Sequence, residues 1–208
     1  MPSDHDIAQL LAGLGYGVPA DAAKARAHLE ARGLTRPGKL RISDEKRPRV
    51  EAALAERFAV LCANPLCAKA AAGAREVIQA VPRARCEHCG GSDNRQALLR
   101  LESLAAREKM TKFVVVGGSP AVRDELRALK PAAWTMRLID GTQRRTQRDA
   151  QADLDWADLI LVWGGSELDH KVSHLYTDAT GALRKKVVLL AKRGVAALLH
   201  AAADHLEK

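Results

Sequence analysis

Residues 112–120 read Lys112-Phe113-Val114-Val115-Val116-Gly117-Gly118-Ser119-Pro120, and this run decides the fold. Four consecutive apolar residues without polar alternation describe a strand covered on both faces, as in a parallel sheet with helices above and below it. Two glycines then turn the chain. Ser119 stands where a helix N-cap belongs, and Pro120 suits the first helical position, where its missing N–H is no loss. The stretch is one strand–turn–helix unit.

The unit recurs toward the C-terminus. Residues 134–139 (WTMRLI) predict a second strand, ending in Asp140-Gly141-Thr142 and followed by a polar helix over 144–157. Residues 159–163 (LILVW) predict a third, which ends in Gly164-Gly165-Ser166 and enters a helix running to Tyr176. Residues 186–190 (KVVLL) predict the fourth, with Arg193-Gly194 and an amphipathic helix over 195–207 after it. Four such units in series predict an α/β fold, a small doubly wound Rossmann-like parallel sheet over 111–208.

Sheets of this kind bind ligands at the carboxyl ends of their strands, where the strand order reverses. Gly117, Gly118 and Ser119, then Asp140, Gly141 and Thr142, then Gly164, Gly165 and Ser166, and last Lys192, Arg193 and Gly194 occupy those ends. Glycine admits a ligand close to the backbone, and the N–H groups of a helix start favour an anion. The two Gly-Gly-Ser turns therefore predict a lip for an anionic small molecule or nucleotide. Neither is a GxGxxG fingerprint or a P-loop, so an ordinary dinucleotide cofactor is not expected. On the helix after the third strand, His170 and His174 share a face, with Lys171 and Ser173 beside them. They are expected to complete recognition of the anion; a structural histidine pair anchoring the helix, or a metal-chelating pair, is the alternative. An enzymatic alternative makes His174 the general base of a hydrolase or transferase acting on nucleotides or nucleic-acid ends, assisted by Ser173 or Asp140.

Upstream the character changes. All four cysteines lie close together, as Cys62-x4-Cys67 and Cys86-x2-Cys89. Two pairs of thiolates at this spacing can converge on one tetrahedral Zn2+. Buried structural thiols and a redox pair at Cys86 and Cys89 are the alternatives. Ser92 and Asp93 then offer N-caps to a helix carrying Leu98, Leu101 and Leu104. Residues 1–60 read as three helices, over 6–14, 19–32 and 43–58, with a basic connector before the third. Arg36, Lys39, Arg41, Lys46, Arg47 and Arg49 are the candidates for nucleic-acid contact. Aromatic residues are scarce, so contact to the phosphates of a duplex is expected rather than base stacking. The alternative is a helical packing or oligomerisation unit with solvated arginines.

The expected organisation is thus a basic helical domain over 1–60, a four-cysteine zinc module with a linker helix over 61–110, and the Rossmann-like domain over 111–208. Lys and Arg total 33 against 25 Asp and Glu, a formal charge of +8. That surplus suits polyanionic partners or simply a solvated basic surface. No apolar run reaches membrane-spanning length and no secretory leader is recognisable, so a cytoplasmic protein without membrane contact is expected. A homodimer served by Trp134, Trp156 and Trp163 is a further alternative, as part of a non-catalytic interaction module.

The order VVVGG, a strand ending in Asp140-Gly141, Ala157-Asp158 opening the third strand, and Ser173-His174 on the following helix resembles a known bacterial family. That family is a small Rossmann-like one, catalogued as domain of unknown function two-three-two-five, and the likeness covers roughly Thr111–Leu199. The family pattern has His-Asp-Gly-Gly at the second turn, where this chain has Ile139-Asp140-Gly141-Thr142. The resemblance implies the Rossmann-like fold. Zinc and helical modules joined to such domains imply a regulator, or a component of a mobile element or of phage defence.

Overall fold

The computed structural model describes residues 4–70, 73–165 and 167–208. A short strand β1 (Asp4–Asp6) leads into helix α1 (Ile7–Gly13), whose N-cap is Asp6: its carboxylate accepts the Gln9 N–H. Helix α2 (Pro19–Ala31) starts on a proline, and strand β2 (Arg41–Ser43) returns antiparallel to β1. A 3-10 turn over Asp44–Lys46 precedes helix α3 (Arg47–Arg57). The sequence predicted one helix from Ser43. Pro48 explains the break, because it lacks an N–H and its ring crowds the residue before it. Strand β3 (Phe58–Leu61), helix α4 (Pro65–Ala70), strand β4 (Glu76–Gln79) and a 3-10 turn over Arg83–Arg85 follow. Strands β3 and β4 pair in parallel. Ile7, Leu11, Leu29, Val50, Leu54 and Phe58 bury the apolar faces of these helices in one core.

These elements form the first of two units, Met1–Ser92; the second is Asp93–Lys208. Helix α5 (Asp93–Arg107), which the sequence reading joined to the cysteine module, belongs with the second. Ala97, Leu101, Leu104 and Ala105 share its core with Leu198, Leu199, Ala202 and Ala203, so burial assigns the helix.

The second unit continues as β5 (Lys112–Val116), α6 (Pro120–Leu129), β6 (Thr135–Ile139), α7 (Gln147–Trp156), β7 (Leu159–Trp163), α8 (His170–Thr177), α9 (Gly181–Lys185), β8 (Val187–Leu190) and α10 (Val195–Leu206). The strands form one parallel sheet in the order β6-β5-β7-β8. Period-two alternation divides its side chains. Phe113, Val115, Leu159, Leu161 and Trp163 face α5, α6 and α10. Val114, Val116, Ile160 and Val162 face α7 and α8 through Ala150, Leu154, Val172 and Tyr176. The sheet is therefore Rossmann-like, with helices on both faces. Its chain order reverses between β5 and β7, since β5 connects outward to β6 and β7 connects the other way to β8.

Trp134 and Trp163 lie within this core at 5% and 2% exposure, so neither ring stands at the surface. Trp156 is half-buried beneath the Arg137 guanidinium, which sits 3.8 Å from the ring centroid.

Candidate metal centre and ligand cleft

Each cysteine pair is held by a local turn. Cys62 follows β3, and Cys67 lies on α4. Asn64 shapes the turn between them, its side chain accepting the Leu66 N–H at 2.9 Å and its carbonyl the Cys67 N–H at 3.0 Å. The second pair closes through Gly90 N–H to Cys86 O (2.8 Å) and Ser92 N–H to Cys89 O (3.0 Å). Gly90 and Gly91 have φ of 56° and 75°, a region that side-chain-bearing residues enter only at a cost. Glu87 joins the two halves. Its N–H donates to Val60 O at 3.0 Å, and its carboxylate accepts the Val60 N–H at 2.5 Å.

All four sulfurs are buried and lie within 4.8 Å of one another. Cys62 Sγ is 3.6 Å from Cys67 Sγ and 3.7 Å from Cys89 Sγ. A tetrahedron of thiolates about 2.3 Å from a central ion has edges of about 3.8 Å, so the group has the donor set and the span to hold one metal ion. Burial pushes the Cys62 and Cys67 thiols up. Burial also raises Cys86, but the backbone N–H groups of Cys89, Cys62 and His88 outweigh it and bring this thiol down to about 7. Backbone donors aimed at a sulfur stabilise its thiolate, the form that binds metal.

At the switch point of the sheet lies a cleft of about 390 Å3, bordered by Gly118, Ser119, Trp163, Gly165, Arg193 and Gly194 among others. Trp163 forms its floor. The indole Nε1 donates to Lys192 O at 2.9 Å, and a Cβ on Gly118 would stand 3.2 Å from the ring. Two helices open onto this cleft. Ser119 caps α6 and Gly194 caps α10, and neither end has a side-chain hydrogen bond. Arg193 Nε donates to Gly165 O at 3.2 Å, which holds the guanidinium at the rim. Glu167 brings one carboxylate to the border.

The expected lip is only partly assembled. Gly118, Ser119 and Gly165 meet at the cleft, and Ser166 lies outside the described residues. The second helix start is not at Gly165. Helix α8 begins at His170, capped by Asp169, whose carboxylate accepts the Lys171 N–H at 2.7 Å. An aspartate in that position occupies the N–H groups and repels an anion. Gly141 is closed off, because a Cβ there would lie 2.7 Å from Leu168 Cδ1 and 3.0 Å from Glu167 O. Gly164 is exposed on the turn away from the cleft lining, and Gly117 bonds its N–H to Ile139 O at 3.0 Å. Asp140 is engaged by the Thr142 N–H (3.0 Å), the Thr142 hydroxyl (2.7 Å) and Arg123 (3.0 Å); the first of these does most to hold its carboxyl below the usual range.

His170, Lys171 and His174 are exposed on α8 and do not border the cleft. Ser173 is half-buried on the same helix. His174 instead edges a cavity of about 290 Å3 between α7, α8 and α9, with Nδ1 3.0 Å from the Asp178 carboxylate. Sequence reasoning missed Asp178, although four-residue spacing on a helix was the available signal. Arg193, expected at a strand end by its place after the fourth strand, does reach the cleft; the path of β8 beside β7 brings it to Gly165.

In the first unit Arg36, Arg41, Lys46, Arg47 and Arg49 are exposed and Lys39 is half-buried. Arg41 donates to Asp4 O at 2.9 Å and Arg47 pairs with Glu51 at 2.7 Å. These two therefore hold internal partners as well as facing solvent. Among the described residues no helix is long and apolar enough to cross a membrane. No family model, curated protein or solved structure matches the chain. The resemblance of its motifs to family two-three-two-five accordingly remains an expectation from the sequence.

Proposed function

We propose that this is a zinc-containing regulatory or sensor protein of the cytoplasm, which takes an anionic or nucleotide-like ligand at the switch point of its sheet and contacts nucleic acid through its basic first unit. One observation carries the ligand reading: two helix N-termini without side-chain caps, those of α6 and α10, open onto one cleft beside the Arg193 guanidinium. Aligned peptide dipoles and unpaired N–H groups favour negative charge there. Gly194 replaces Gly165 as the second helix start in this reading. Zinc is the ion assigned to the cysteines, because four thiolates and no open position make a closed structural site. Thiols free of disulfides suit a reducing compartment.

Titration calorimetry with pyrophosphate and a nucleotide panel tests the cleft. Binding should be present in the native protein and at least tenfold weaker in Arg193→Ala; absence of binding in the native protein would remove the ligand reading. The nucleic-acid contact is tested by the salt dependence of affinity for a generic DNA duplex. Replacing Arg36, Lys39, Lys46 and Arg49 with alanine should flatten that slope if these groups displace counterions from phosphates. An unchanged slope would remove this assignment.

A second reading has one observation in its favour. His174 with Asp178 behind its Nδ1, at the rim of a cavity, is an arrangement able to leave Nε2 as a proton acceptor. It would serve a hydrolase or transferase acting on nucleotides or nucleic-acid ends. Turnover of the nucleotide panel that disappears in both His174→Ala and Asp178→Asn would favour the enzyme over the sensor.

A further inference from the structure

Strand β8 is the last of its sheet and pairs with β7 alone. The Ile160 N–H bonds to Lys186 O at 2.7 Å and the Gly165 N–H to Leu190 O at 3.2 Å. Even-numbered carbonyls of β8 therefore face β7, and the peptide groups of Val187 and Leu189 face outward. Arg184 donates to Val187 O at 2.7 Å. Among the described residues, none pairs with the outward N–H or C=O of Leu189.

Leu189 is 56% exposed. Sheets usually blunt such an edge with a charge, a proline or a covering element. Here Arg184 covers only the Val187 carbonyl, and Val187, Val188 and Leu189 line a groove of about 820 Å3 together with Arg184, Lys185 and His205. Arg184 and Lys185, the charged residues that line it, are both cationic. Residues 179–203 include Arg184, Lys185, Lys186, Lys192 and Arg193 and no carboxylate. The carboxylates at the two ends of that stretch are engaged elsewhere, Asp178 by His174 at 3.0 Å and Asp204 by Arg100 at 2.7 Å.

We propose that the outer edge of β8 receives an extended acidic peptide of another protein, added as a further strand of the sheet. Main-chain bonds to Leu189 supply the pairing, and alternate apolar side chains of the peptide cover Leu189. Its carboxylates meet the cations at the two ends of the strand. Charge selects this occupant over a second copy of the chain, which would bring the same cations against themselves.

The test uses the full-length protein and a fluorescent peptide of five Glu-Val repeats, with five Lys-Val repeats as control. The acidic peptide should bind and the basic one should not. Methylating alternate amide nitrogens of the peptide removes its strand-pairing donors and should weaken binding at least tenfold. The variant Lys185→Glu should weaken it as much while leaving tryptophan emission unchanged. Equal affinity for both peptides, indifference to methylation or to charge reversal, or no binding at all overturns the proposal. So does a dimer by light scattering that dissociates on Leu189→Ser, since the occupant would then be a second copy.

Discussion

Cys86 shows how much one side chain decides here. Three backbone N–H groups converge on its sulfur, and the other three thiols lie within reach of the same point. With Cys86→Ala, metal measured by emission spectroscopy should fall from one ion per chain to none. Unchanged metal content in that variant would discard the centre. Gly165 is as constrained, for a different reason. A Cβ there would stand 2.4 Å from Ala191 O and 2.8 Å from Lys192 O, both backbone atoms. Gly165→Ala must therefore push the loop after β8 away from β7. The expected cost is about 2 kcal/mol or more in urea unfolding of the second unit. A change within about 0.5 kcal/mol, the range of an ordinary surface substitution, would show that the loop yields freely.

Helix α7 illustrates the scale of the element. Its N-cap, Thr146, accepts the Asp149 N–H at 3.1 Å while its hydroxyl donates to the Asp149 carboxylate at 2.7 Å. That hydroxyl is the main reason the Asp149 carboxyl sits below its ordinary value. A carboxylate whose folded pKa is depressed contributes stability above its unfolded pKa and loses it as the pH falls through the folded value. Stability of the second unit should thus decline as the pH drops below about 4. Thr146→Val should make that decline shallower and cost about 1 kcal/mol at neutral pH through the lost cap. An identical pH profile in the variant would sink the assignment. The other face of α7 carries Asp153, 1% exposed, which receives Arg137 at 2.9 Å, the Tyr176 hydroxyl at 2.9 Å, and Arg145. This carboxylate ties β6, the loop after it, α7 and α8 to one point. Asp153→Ala leaves two guanidiniums facing a site without a counter-charge. Since both arginines retain some solvent, a loss of about 3 kcal/mol is expected in thermal or urea unfolding.

At the scale of the whole molecule, all three tryptophans belong to the second unit and all four cysteines to the first. Removing metal with a chelator should therefore reduce far-ultraviolet helical signal while leaving tryptophan emission in place. Emission that shifts in step with metal loss would contradict a stabilising role confined to residues 4–92. The two units also differ in how much of them the sequence made legible. Strands β5 and β7 span the expected residues, 112–116 and 159–163, and β6 and β8 differ from expectation by a single residue. Burial on both faces writes itself into consecutive side chains, so a parallel sheet can be read locally. The cysteine spacing likewise announced the sulfur cluster, because two short turns are all that its assembly requires. Strand order, the assignment of α5 to the sheet and the meeting of Ser119 with Gly194 were not legible in this way. Each depends on which distant surface an element buries, a choice made by the free energy of the assembled core. Local composition set what each segment is; long-range packing set what it touches, and the cleft consists of such contacts.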